Sequence, residues 1–185
     1  MPAESAPARR AQNLLLEREV NVLGGYVDKT LDLALWSETS GPLLALSVKS
    51  QMSSISANAR NRFEEYFADA ANLHTRFPML AFGFLLILPY ETASGEQVID
   101  QSGQPTPLAW RVLRLLQGVS GRIDPESQVG HYEETALLLV DFNATPVQIH
   151  PSFPDSQSGL RIENFFDRLV SRFWQRNPTL RRDSK

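Results

Sequence analysis

Thr30-Leu31-Asp32-Leu33-Ala34-Leu35-Trp36 and Leu43-Leu44-Ala45-Leu46-Ser47-Val48-Lys49 are the two stretches whose reading decides the fold. Each reads as an apolar β-strand, and Ser37-Glu38-Thr39-Ser40-Gly41-Pro42 between them is a run of turn formers. Strand side chains alternate between faces. Leu44, Leu46 and Val48 therefore share one face, while Ser47 and Lys49 share the other. Asp32 stands fifteen residues before Ser47. A buried lysine beside a lone strand aspartate is costly unless something uses it. A metal-dependent phosphodiesterase site is an arrangement that would use both.

Working outward, Arg10 to Leu23 is predicted as a helix with Leu16, Val20 and Leu23 on one stripe, stopped by Gly24-Gly25. A second helix is predicted from about Ser56 to Phe77, closed by Pro78, with Phe63, Tyr66, Phe67, Ala70 and His74 as its apolar stripe. The apolar run Leu80 to Leu88 reads as a strand buried on both faces. Tyr90 to Gln104 is a loop. Thr106 as N-cap with Pro107 at the first helical position opens a third helix, to about Gly118. Glu134 to Phe142 is a further buried strand, Val147 to His150 a short one, and Arg161 to Gln175 a last helix. The fold class expected from this order is α/β, a mixed central β-sheet flanked by helices.

The 185 residues suit one domain, residues 10–185, after a polar tail of residues 1–9. Without cysteine, disulfides, thiolate chemistry and Cys-based zinc sites are excluded. No signal peptide is legible, and the longest apolar run is too short to cross a bilayer. A cytoplasmic protein without a membrane span is the expectation. The net charge of -3 exerts no global pull on nucleic acid, so a basic face must come from local placement of the 18 Lys and Arg. No P-loop, dinucleotide fingerprint, Gly-x-Ser-x-Gly elbow or zinc motif occurs. His74, His131 and His150 lack metal-ligand spacing and read as structural.

A second carboxylate is sought on the second helix. With Phe63 at the centre of the buried face, Glu64 falls roughly 100° away, at its edge, and Glu65 roughly 200° away, toward solvent. Glu64 is thus expected to reach toward the sheet and join Asp32, with Lys49 between them. Phosphodiester cleavage uses an oxygen-ligated divalent cation, Mg²⁺ or Mn²⁺, held by one or two carboxylates. A lysine can bind a phosphate oxygen or orient the attacking water.

Asp32, Ser47-Val48-Lys49 and the order helix, strand, strand, helix, strand resemble the core of the PD-(D/E)XK nucleases, the restriction-endonuclease-like fold, over roughly residues 10–88. The resemblance implies that Asp32 is a metal ligand, that Lys49 is the motif lysine, and that the Val48 carbonyl faces the metal. Ser47 departs from the pattern, since most members carry Glu or Asp there. Some restriction enzymes with Ser take the missing carboxylate from the next helix, the position Glu64 offers. Glu17 or Glu19 could match the first-helix glutamate of some members. The implied activity is Mg²⁺-dependent DNA hydrolysis by a homodimer, with Asp32, Lys49, Glu64 and Ser47 at the site. The alternative is a catalytically inactive nuclease-fold module that binds nucleic acid or protein.

Other candidates carry polar or charged side chains rather than a motif. Gln51 follows Lys49 on the same strand face, where it could touch a phosphate or base of bound DNA or be a strand-end polar residue. Asn58, Arg60, Asn61 and Arg62 crowd the start of the second helix, where backbone amides favour phosphate. Arg168, Arg172 and Arg176 recur every four residues along the last helix and could follow a DNA backbone, or complement the helix dipole. Arg111 and Arg114 on the third helix are open to either reading.

Overall fold

A computed structural model describes residues 14–180, so the expected tail and the first residues of the expected helix lie outside the described residues. The first segment corrects the sequence reading. Leu14–Leu23 is a ten-residue strand, β1, and not a helix. Leu16, Val20 and Leu23 fit a helical stripe, but Val20 and Val22 also alternate, and it is Val22 that is buried. Cross-strand pairing with β2 (Asp28–Ser37) decides between them, since β preference is set by neighbours more than by local sequence.

β3 (Gly41–Ser50) returns antiparallel to β2. Helix α1 (Ile55–Arg76) then crosses to β4 (Ala81–Pro89), parallel to β3, and α2 (Pro107–Gln117) leads to β5 (Glu134–Asp141), parallel to β4. A two-residue β6 (Gln148–Ile149) closes the sheet antiparallel to β5. A single 3-10 turn (Ile162–Asn164) precedes α3 (Phe165–Arg176). The six strands lie in the order β1-β2-β3-β4-β5-β6. The described residues thus form an α/β fold, a mixed sheet flanked by three helices.

Alternation sorts the core into two layers. Ala45, Phe82, Phe84, Leu86, Leu137 and Leu139 pack under α1 and α2. Leu46, Leu85 and Ala136 pack with Phe165, Leu169 and Phe173 of α3 on the opposite face. Gly83 brings α3 close to β4: a Cβ there would lie 2.6 Å from Leu169 Cδ2 and 2.9 Å from Phe165 Cζ. Thr106 does stand at the N-cap of α2, yet its hydroxyl donates to the Gln97 and Val98 carbonyls at 2.9 and 3.0 Å instead of accepting from the helix.

Candidate functional site

The sheet is irregular at Asp32. Pairing of β2 with β3 ends at Leu33↔Leu46, while β3 continues against β4 as far as Ser50. Leu33 and Leu35 pack on the α3 side, but Leu31, also odd-numbered, packs on the α1 side. The alternation therefore reverses at Asp32. β1 bends at the same level: its ladder with β2 passes from Arg18↔Leu33 to Val20↔Leu31, and Glu19 between them is left-handed, with φ 53. Beyond the bend the hairpin leans over α1. Asn72 holds its tip, accepting from the Tyr26 and Val27 amides at 2.8 and 3.1 Å and donating to the Val27 carbonyl at 2.9 Å. Lys29 pairs with Asp69 of α1.

Asp32 sits where the strands part. Its Oδ2 accepts from the Val48 amide at 2.7 Å, replacing the strand partner that amide loses at the fork. The structure thus joins Asp32 to the backbone of the Ser47-Val48-Lys49 segment. Ser47 is buried on the α1 side, opposite Phe84, and its hydroxyl has no hydrogen-bond partner. An unsatisfied buried hydroxyl costs about 1–3 kcal/mol. Lys49 is half-buried and, among the described residues, forms neither a hydrogen bond nor an ion pair. An orphaned hydroxyl and an unpaired ammonium two residues apart on one strand face, beside a carboxylate, mark the fork as the best candidate site.

Glu64 does not join them. Its side chain is 61% exposed and its Oε1 lies 3.0 Å from Arg60 Nε. The buried face of α1 is set by Ile55, Ala59, Tyr66, Ala70, Leu73 and His74, which rotates it by roughly 50° from a centre at Phe63 and carries Glu64 into solvent. Glu65 pairs with Arg62 at 2.6 Å. Glu19 stands on the neighbouring strand and not on a first helix, between the pairs Arg18↔Leu33 and Val20↔Leu31 that flank Asp32. Glu17 stands opposite Ala34.

The start of α1 is already capped by an anion of the protein. Glu96 accepts from the Ile55 and Ser56 amides at 2.7 and 3.0 Å, and from the Ser56 hydroxyl. The Ser56 hydroxyl bond, with the backbone bonds, holds the Glu96 carboxyl below its ordinary value. Nothing local in the sequence announces this cap, which comes from a loop 40 residues downstream. Arg60 and Arg62 are engaged by Glu64 and Glu65, so the helix start is not an open phosphate cradle.

The α3 arginines are likewise neutralised. Arg168 Nε donates to Glu134 Oε2 at 2.7 Å, and Arg172 Nε lies 3.6 Å from Glu134 Oε1. Arg176 pairs with the fully buried Glu133 at 2.6 Å, which also binds Arg122 at 2.8 Å and faces His74 at 3.2 Å. The basic stripe answers two glutamates at the start of β5, a pairing invisible in the helix sequence. Gln51 extends the β3 ladder through its amide to the Ile87 carbonyl at 3.1 Å and lines a groove between α1 and α2. Burial pushes the Tyr66 hydroxyl up to about 12, removing it as a base near neutral pH.

Asp32 keeps Oδ1 without a hydrogen bond among the described residues, and a carboxylate oxygen is the donor type that Mg²⁺ takes. No group of three or more His, Asp or Glu placed to hold a metal ion occurs among the described residues. No helix among the described residues is long and apolar enough to cross a membrane. No protein-family model matches the chain, and no curated protein or solved structure does so either.

Proposed function

We propose that the strand fork is the phosphodiester-hydrolysing site of a Mg²⁺-dependent, restriction-endonuclease-like DNA endonuclease. The observation that carries this reading is the Asp32 carboxylate bonded to the Val48 amide, immediately before an unpaired, half-buried Lys49. Asp32 and Glu19 would hold the metal, in place of the Asp32–Glu64 pair that the helix phase suggested. The metal, when bound, lowers the pKa of a water and stabilises charge on the phosphorus-centred transition state. Lys49 supplies a cation that is not neutralised internally, able to bind a phosphate oxygen and orient the attacking water. Ser47 lies too deep beside Phe84 to touch substrate and lines the wall behind Lys49. A double-strand break needs two such sites, one for each strand, and a homodimer would provide them.

The experiment is incubation of purified protein with supercoiled plasmid and Mg²⁺ or Mn²⁺. Cleavage is expected to fall at least 100-fold in Lys49→Ala, as removal of a transition-state charge contact does, and to persist in Glu64→Gln. Cleavage that survives Lys49→Ala overturns the assignment. A second reading has a specific observation behind it: Glu64 is turned outward and Ser47 stands where a carboxylate is usual. On that reading the same fold binds nucleic acid or protein without cutting, and the wild type retains plasmid without nicking it at any metal concentration.

A further inference from the structure

The ion pairs sort the cationic side chains of the described residues into two groups. Lys29, Arg60, Arg62, Arg122, Arg161, Arg168, Arg172 and Arg176 all lie against carboxylates. Arg18, Lys49, Arg76, Arg111 and Arg114 do not, and Arg76 stacks on Phe77. Unpaired charge is what a polyanion can use, because a cation already neutralised releases few counterions from a phosphate backbone. This criterion removes α3, whose arginines recur every four residues, and singles out α2.

Arg111 and Arg114 are both exposed, one turn apart on the solvent face of α2, with Trp110 39% exposed beside them. Trp110 stands edge-on to Phe153, with ring centroids 5.0 Å apart, which anchors the indole while leaving part of it at the surface. Pro107, Trp110, Arg111, Arg114 and Leu115 line one shallow depression. Leu115 also lines the groove between α1 and α2, and Gln51 lines that same groove. Gln51 is two residues from Lys49. The two hollows thus share Leu115 and link the chain just past β3, two residues from Lys49, to two free guanidinium groups and an indole.

We infer that this α1–α2 surface is the DNA-backbone track of the protein, with Arg111 and Arg114 contacting phosphates of a duplex whose scissile bond lies at Lys49. The inference rests on the nuclease reading for its substrate, but binding and cutting are measured separately. Arginine on an exposed helix presents a fork suited to phosphate oxygens, and the Trp110 ring supplies apolar contact to sugar or base. The chain's overall charge of -3 makes such a local track necessary if DNA is to bind at all.

The test is anisotropy of a short labelled duplex in EDTA, titrated with wild type, the double variant Arg111→Ala/Arg114→Ala, Arg172→Gln and Lys49→Ala, with thermal melts confirming that each is folded. The double variant is expected to weaken binding about tenfold or more and to lower the slope of log K against log salt by about 2. Arg172→Gln, on the opposite face, should stay within about twofold of wild type. A wild type that binds but does not cut supports the track while removing the nuclease reading. Unchanged binding and salt slope in the double variant overturns the track, whatever Lys49→Ala does to cleavage. A wild type that binds no duplex overturns it too, and an acidic protein partner then becomes the occupant to test.

Discussion

Asp32 has two roles that a single substitution separates. Its Oδ2 holds the Val48 amide, a structural bond worth about 1 kcal/mol, and its charge is what the proposed chemistry needs. Asp32→Asn keeps a carbonyl oxygen for the amide but loses the negative charge. Melting of Asp32→Asn should fall less than that of Asp32→Ala, while plasmid cleavage is lost in both. Equal melting losses would show that the charge itself stabilises the fork. At this scale the sequence was partly legible. Asp32 and Lys49 fall on strands as read, because short apolar runs bounded by turn formers are a strong local signal. The position of Glu64 was not legible, since one aromatic residue, Phe63, is a poor marker of a face that Ile55 and Leu73 help to set.

Helix α1 shows how an element depends on partners far along the chain. Its N-cap, Ser54, is left-handed and makes no side-chain cap bond, so the first amides rely on Glu96. Glu96→Ala should cost about 1–2 kcal/mol, the range for losing a helix cap, measured as a lower urea midpoint with faster hydrogen exchange at Ile55 and Ser56. An unchanged midpoint would mean that water replaces the carboxylate at no cost. The same dependence explains the misread first segment. Leu14–Leu23 has no strong strand signature of its own, and it becomes β1 because β2 offers a ten-residue edge and Asn72 pins the hairpin tip to α1.

Across the whole molecule, Glu133 is the point where separate parts meet. Its carboxylate accepts from the Phe82 amide of β4 at 2.6 Å and lies against His74 of α1, Arg122 of the loop before β5, and Arg176 of α3. Burial pushes its carboxyl up, but His74, 3.2 Å away, the Arg176 guanidinium and the Phe82 amide outweigh that and hold it below its ordinary value. With the folded value below the unfolded one, the charge contributes fully above pH 4.5 and its contribution is lost as pH falls through the lowered folded value. Glu133→Gln should cost about 3–5 kcal/mol, because two buried guanidinium groups lose their counter-charge. The melting temperature of wild type should fall on acidification in that window, and the variant's should fall less. A variant as stable as wild type would show that the buried cations relax to water.

What the sequence by itself determined is the alternation of apolar strands and helices, and hence an α/β sheet with Asp32 and Lys49 on adjacent strands. Those features rest on local periodicity and turn chemistry, which neighbours in the chain are sufficient to set. Only the tertiary structure decided which charges are free. Arg168, Arg172 and Arg176 read as a basic stripe until Glu133 and Glu134 are laid beside them, and Arg111 and Arg114 stand out only once the others are paired. Electrostatic partners are chosen across space, at separations such as the 34 residues between Glu134 and Arg168, where sequence spacing carries no information. The bend at Asp32 belongs to the same class, because it exists only where β2 must leave β3 to close over α1.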